Sequence, residues 1–315
     1  MHYFIILFFI GIFSSYSQTA VGDIKVRTDY GFSKINNKGF DKLKGAKTFF
    51  VRPKQFTNDY SIEEYQNVFD KVWTVSPVTV INHDELNQNV EVGNLIIRFK
   101  SYTRNVQGKG IAYGFNYFKF GLVDKKKVKD DGNFKWWEDF NAVISFTANA
   151  TARVDMNIGK DTINGDLLDY RLGYLKNYIQ QINDAIENQK NYEFYKDLEN
   201  KAELRKLRNA PLLVPENIIY RFNALTGRER DRSTDDLFEN YSYNFEVIEE
   251  SELNEKILNE QDSFYYLMYH QTNSNKIITI VNGVSGEIIY RTSKNMSYNM
   301  KPKDIKALSK TISKS

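Results

Sequence analysis

The chain has 315 residues, 41% of them hydrophobic and 26% charged, and a formal net charge of +3 at pH 7. This composition is typical of a folded globular protein, and the length predicts about two domains. The absence of cysteine excludes disulfides, thiolate nucleophiles, cysteine-ligated metals and anchoring through a lipidated cysteine. With three histidines and a nearly balanced charge, the sequence predicts no metal site, no cofactor and no nucleic-acid partner.

The first residues carry the pattern of a secretion signal. Residues 4–13 form an uncharged apolar run, about half the length that a membrane-spanning helix needs. The small residues Ser15 and Ser17 follow at the −3 and −1 positions of a signal-peptidase cut before Gln18. We therefore expect a signal peptide over 1–17 and an exported chain, periplasmic or secreted. A buried N-terminal strand and an uncleaved anchor are the alternatives.

The first half of the mature chain alternates between strand and helix patterns. A polar lead-in over 18–46 comes first, and a helix is predicted to start at the N-cap Ser61, with Glu63 and Glu64 in its first turn. Runs of β-branched and aromatic residues predict strands, the last two forming a long hairpin across a polar turn at 124–132. These runs are Lys47–Pro53, Val78–Ile81, Asn94–Tyr102, Ile111–Val123 and Asn141–Asn157.

The middle of the chain has the pattern of amphipathic helices. Leucine and isoleucine recur every three or four residues from Leu168 to Ile186, and a second, charged stretch runs from Asn191 to Leu207. We interpret residues 166–210 as a helical connector between two domains. An oligomerisation coiled coil is the alternative.

The second half repeats the pattern of the first. Strand, helix, strand, acidic turn and apolar strand follow one another in both halves, and the turn contains Glu-Leu-Asn each time. The matched strands are Phe49–Pro53 with Leu212–Pro215, Val78–Ile81 with Phe245–Ile248, and Leu95–Phe99 with Phe264–Met268. The sequence therefore predicts an α+β (α/β-like) fold with two related β-α-β-β sheet domains, 47–165 and 211–315, joined by amphipathic helices.

This order of elements resembles a group of small α/β domains of the bacterial envelope. Thr48–Tyr102 and Leu212–Arg291 are similar to the α/β domain of curli-assembly lipoproteins and the N-terminal domain of the Tol-system translocation protein. Asp84-Glu85-Leu86 and Ser251-Glu252-Leu253 stand where that family has its Glu-x-Leu-like stop. The resemblance implies a non-enzymatic role in envelope assembly or secretion. The chain lacks the lipobox cysteine and has no room for a propeller, so lipid anchoring and the Tol role are not implied.

The sequence contains none of the common nucleotide-binding, serine-hydrolase or zinc-protease motifs. His83, beside Asp84 and Glu85, could act as a general base, but its position after a strand also suits a surface turn. His270 is interpreted as a strand-end residue. Several adjacent acidic pairs could serve glycan hydrolysis if two carboxylates lay about 5–9.5 Å apart. A secreted hydrolase acting on glycan or peptide is therefore the alternative function.

The most unusual local feature is an aromatic segment beside the lysine-rich turn of the long hairpin. Its rings could stack on sugars or enter a partner's pocket, and its lysines could contact an anionic surface. The alternative is that the two tryptophans point to opposite faces of a strand and the lysines lie in a solvated turn. The predicted binding residues are Phe134, Trp136, Trp137, Lys125, Lys126 and Lys127.

Together, these patterns predict an exported, non-enzymatic binding or envelope-assembly protein of a bacterial cell envelope. Its expected partner is an envelope protein or a glycan. The sequence leaves the oligomeric state open.

Overall fold

In a computed structural model, the chain folds around two six-stranded mixed sheets, which confirms the predicted α+β class with two related sheet domains. Within the described part of the chain, none of the helices reaches the length and apolarity that a bilayer span requires. The predicted signal peptide lies outside the described residues, and the predicted domain boundaries stay predictions. The structure describes residues 18–26, 30–53, 60–106, 111–128, 134–148, 167–219, 221–222, 229–230, 232–272, 275–295, 297 and 299–315.

The strands of the first half are β1 (Thr19–Val21), β2 (Asp23–Val26), β3 (Tyr30–Ser33), β4 (Thr48–Val51), β5 (Val78–Ile81), β6 (Leu95–Val106), β7 (Ile111–Val128) and β8 (Phe134–Phe146). The first sheet has the order β1-β8-β7-β6-β4-β5, and β2 and β3 form a separate hairpin. β4 is parallel to β5 and β6, whereas β6, β7 and β8 form an antiparallel meander. Because β1 pairs with β8, the predicted lead-in contributes an edge strand to this sheet.

The second half uses the strands β9 (Leu198–Glu199), β10 (Leu212–Pro215), β11 (Arg221–Phe222), β12 (Glu229–Arg230), β13 (Phe245–Ile248), β14 (Tyr265–Thr272), β15 (Asn275–Asn282) and β16 (Ile288–Lys294). The second sheet has the order β13-β10-β14-β15-β16-β9, and β11 pairs only with β12 in the described residues. β10 is parallel to β13 and β14, and β14 to β16 are antiparallel. The two sheets therefore share strand order and pairing direction across all six strands, since β1 is antiparallel to β8 as β9 is to β16.

The helices are α1 (Asn37–Lys44), α2 (Ile62–Val72), α3 (Leu86–Asn89), α4 (Leu172–Glu187), α5 (Lys201–Lys206), α6 (Thr234–Phe238), α7 (Glu250–Asn259) and α8 (Pro302–Lys314). The start of α2 confirms the predicted N-cap. The Ser61 hydroxyl accepts the Glu64 N–H at 3.1 Å, and the Glu64 carboxylate accepts the Ser61 N–H at 2.7 Å. This reciprocal pair is a capping box.

The long hairpin turns later than the sequence predicted. β7 continues to Val128 and β8 begins at Phe134, so residues 124–128 of the predicted turn at 124–132 are strand, and Lys125, Lys126 and Lys127 have cross-strand partners on β8. Irregular register near Gly121 and Asp124 accommodates extra residues in the ladder. Such bulges let polar residues continue a strand where their composition favours a turn.

The prediction of a second helix from Asn191 to Leu207 was wrong over its first half. Only Lys201–Lys206 are helical, and residues 191–199 run along the edges of the sheets. Tyr192 bridges Val21, and the backbone carbonyls of this segment accept hydrogen bonds from the buried Arg291 guanidinium. These long-range contacts outweigh the helix propensity of the segment.

The correspondence between the two sheets differs by one residue from the one read in the sequence. Thr48 pairs with Leu95 in the first sheet, and Leu212 pairs with Tyr265 in the second. Leu95 therefore corresponds to Tyr265 and not to Phe264. A shift of one residue exchanges the two faces of a strand, so the correction decides which side chains occupy equivalent positions.

The predicted helical connector contains an internal layer of the fold. α4 packs between the two sheets, and one buried cluster contains Phe118 of the first sheet, Tyr178 of α4 and Met268 of the second. Polar side chains on α4 bind both halves. Asn183 Oδ1 accepts the backbone N–H of Val75 at 3.2 Å, and Asn177 Nδ2 donates to the Gly283 carbonyl at 3.0 Å.

Candidate functional site

The predicted binding residues lie on a two-stranded ribbon that extends past the rest of the first sheet. β6 starts opposite Leu122, so beyond that point β7 and β8 pair mainly with each other. The register pairs Lys125 with Trp137 and Lys126 with Trp136. Because neighbouring residues point to opposite faces, the ribbon divides the predicted site into two.

One face of the ribbon presents an exposed ring among cations. Trp137 is 43% exposed, and the Lys135 Nζ lies 4.9 Å from the centre of its ring. Lys125 is the cross-strand neighbour of Trp137, and Lys127 is that of Lys135. All three lysines are exposed. We call these four residues the ribbon tip.

On the other face, Trp136 and Lys126 make contacts within the protein. Trp136 is half-buried against an apolar cluster, and the Arg98 guanidinium lies 5.5 Å from the centre of its ring. The Lys126 Nζ donates to Glu91 Oε1 at 2.8 Å and also to the Val90 carbonyl. Phe134 begins β8, and its side chain lies outside what the structure describes.

A cluster of charged residues beside Trp136 was missed by the sequence reasoning. Arg98 and Lys119 face each other across β6 and β7, and Lys100 follows Arg98 two residues along the same face. Glu138 pairs with both: its Oε1 contacts Arg98 and lies 3.0 Å from the Lys119 Nζ. The exposed fractions of the three side chains are 21% for Arg98, 17% for Lys119 and 5% for Glu138. We call Arg98, Lys100, Lys119 and Glu138 the basic cleft.

The basic cleft contains three cations and one carboxylate. Burial lowers the pKa of Lys100. The nearby Arg98 charge lowers this pKa further, whereas the Glu138 carboxylate raises it. Burial also lowers the pKa of Lys119, again against the effect of Glu138. The Lys100 side chain makes no hydrogen bond or ion pair with the rest of the described chain, whereas the Glu138 carboxylate is shared between Arg98 and Lys119. Arg98, Lys100 and Tyr102 stand at every second residue of β6, after its apolar start at 95–97, and this alternation is the sequence signal for the cleft.

A buried polar network lies where the two sheets meet. The His270 Nδ1 is 2.9 Å from the Thr147 hydroxyl and 3.1 Å from Asp169 Oδ2. Although a hydroxyl, an imidazole and a carboxylate resemble a hydrolase triad, here both partners use the same ring nitrogen. A triad needs the two nitrogens to face different partners. All three residues are buried, so we assign the network to the packing of the sheets.

His83 lies in a local structural turn. His83 begins a 3-10 turn, His83–Glu85, and the Glu85 carboxylate accepts the Asn82 N–H at 2.7 Å. Glu138 is the single carboxylate of the basic cleft and is paired with cations. Among the residues that the structure describes, no group of three or more potential metal ligands occurs.

Comparisons with known proteins identify no relative. No protein-family model, curated protein or solved structure matches the chain. The resemblance to the curli-assembly and Tol-system domains therefore stays a hypothesis.

Proposed function

We propose that the chain is an exported, non-enzymatic binding or envelope-assembly protein of a bacterial cell envelope, and that the ribbon tip contacts its partner. The observation that carries the proposal is the 43% exposed ring of Trp137 among three exposed lysines. Large rings at the surface are costly in water, and they dominate the energy of many binding interfaces. The leader-like N-terminus supports export.

The chemistry of the ribbon tip favours an anionic envelope polymer. The face of an indole offers a flat apolar area on which a sugar ring or an apolar side chain can rest. Lysine charges attract anionic partners and speed the encounter. Because the tip projects beyond β6, these groups can reach a polymer that the rest of the sheet does not touch.

The test is binding to purified, insoluble cell-wall polymer. The full chain is expressed with its leader in a bacterium, and its intact mass is measured, with a cut before Gln18 expected. The recovered protein is then sedimented with the polymer. Trp137→Ala and the double variant Lys125→Ser/Lys127→Ser should each reduce the bound fraction several-fold.

Val247→Ala is the matched control, since Val247 is also an exposed apolar residue but lies on the second sheet. It should bind like the unchanged protein. Binding that survives all the ribbon variants would show that the tip is not the contact. An uncleaved leader in the recovered protein would contradict export by this signal.

A further inference from the structure

The second sheet shows which residues stand at the positions equivalent to those of the basic cleft. In the shared register, Arg98 corresponds to Met268 and Lys119 to Thr279. Both residues of the second sheet are buried, and Met268 Sδ accepts a hydrogen bond from the Tyr178 hydroxyl. The topology therefore forms without cations at these positions.

The counterpart of Lys100 in the second sheet is paired with a carboxylate. Lys100 corresponds to His270, whose Nδ1 is 3.1 Å from the Asp169 carboxylate in the second sheet. The segment before α4 supplies that carboxylate. In the described part of the first half, no carboxylate pairs with the Lys100 side chain.

The cations of the cleft outnumber its carboxylates. Arg98 and Lys119 stand directly opposite each other, an arrangement of like charges that destabilises a sheet unless it is compensated. Here Glu138 pairs with both, and each cation lies over an aromatic ring, whereas no carboxylate pairs with Lys100 in the described chain. A partly buried excess of positive charge attracts an anionic partner.

An exposed ring borders the cleft. Tyr102 is 41% exposed and follows Lys100 on the same face of β6, about 7 Å along the strand. A few placed polar groups beside an aromatic ring are typical of small-ligand sites. The distance is close to the width of one sugar ring.

We propose that the basic cleft binds an acidic sugar, a pyranose ring that carries a carboxylate. The carboxylate lies between Arg98 and Lys100, and one face of the sugar rests on Tyr102. Because the flat face of a pyranose can rest on that exposed ring, the sugar fits the site better than an acidic peptide does. This cleft lies on the face opposite Trp137, and the proposal does not depend on the ribbon tip.

The test is calorimetric titration of the full mature chain with a defined oligo-uronate. A neutral oligosaccharide of the same length and an acidic peptide are titrated in parallel. We expect the uronate to bind and the neutral sugar not to bind. Lys100→Met should weaken uronate binding about tenfold or more, because a charge-assisted hydrogen bond is lost, and Lys100→Arg should retain most of it.

Val247→Ala, at an exposed apolar residue of the second sheet, should leave the uronate affinity unchanged. The melting temperature of Lys100→Met should equal or exceed that of the unchanged protein, since the variant removes an unpaired cation. Equal binding of the neutral sugar, unchanged affinity in Lys100→Met, or tighter binding of the acidic peptide would each overturn the proposal.

Discussion

At the scale of single residues, Gly121 shows how a missing side chain positions a charge. A Cβ atom at this position would lie 2.5 Å from Glu138 Oε2 and 3.1 Å from Glu138 Cβ. The carboxylate therefore occupies the space that a side chain on β7 would take, and from there it reaches Arg98 and Lys119. The charge balance of the basic cleft depends on this glycine.

We therefore expect Gly121→Ala to destabilise the protein by about 1–3 kcal/mol, because it displaces Glu138 from its two cations in a packed place. Urea unfolding measures the change. Gly114→Ala, on the same strand, is the control, since nothing lies within 4 Å of a Cβ there. Equal stability of the two variants would contradict this account.

At the scale of elements, α4 and α7 are in close contact through Gly173. A Cβ at this position would lie 2.8 Å from the Asn254 carbonyl oxygen and 3.1 Å from Ile257 Cβ. The Gly173 N–H also donates to Asn254 Oδ1 at 2.8 Å. The backbones of the two helices therefore approach each other at a point where only glycine fits.

This contact predicts that glycine-to-alanine substitution, which usually stabilises a helix, has the opposite effect on stability here. Glycine to alanine within a helix usually stabilises by about 0.5–1 kcal/mol, but Gly173→Ala should destabilise by about 1–3 kcal/mol because α7 must move away. Gly39→Ala in α1 is the matched control, since its nearest contact would be 3.4 Å from Ile35 Cβ. Thermal unfolding of both variants decides, and a stabilised Gly173→Ala would refute the close contact.

At the scale of the whole molecule, the two sheets share one interior. Side chains of both sheets and of α4 belong to the same buried cluster. The network of Thr147, Asp169 and His270 adds buried hydrogen bonds between them. Neither half can lose its structure without exposing apolar surface of the other.

We expect a single cooperative unfolding transition in urea. Trp73, Trp136 and Trp137 all lie in the first half, so tryptophan fluorescence reports on that half, whereas far-UV circular dichroism reports on both. The two signals should give the same midpoint, as two-state unfolding requires. A fluorescence midpoint separated from that of circular dichroism would show that the halves unfold independently.

Local patterns were sufficient for much of the fold. The capping box at Ser61, the apolar strands and the helical spacing along α4 follow from neighbouring residues, and the structure agrees with them. The failures lie where distant contacts decide, as in residues 191–199, whose helix propensity yields to sheet edges and to Arg291. The one-residue slip between the two sheets has the same origin, because strand register depends on the partner strands.

The sequence by itself determined the order of strands and helices, the relation between the two halves and the unusual pair of tryptophans. These follow from short-range spacing, which the chain carries whatever its tertiary structure. Only the tertiary structure decided that Trp136 packs against the protein while Trp137, on the opposite face of β8, is exposed. It also decided that the side chains of Arg98, Lys100, Lys119 and Glu138 lie close together. Those residues are brought together by the register of three strands, and register is decided by which face is buried and not by the residues along one strand.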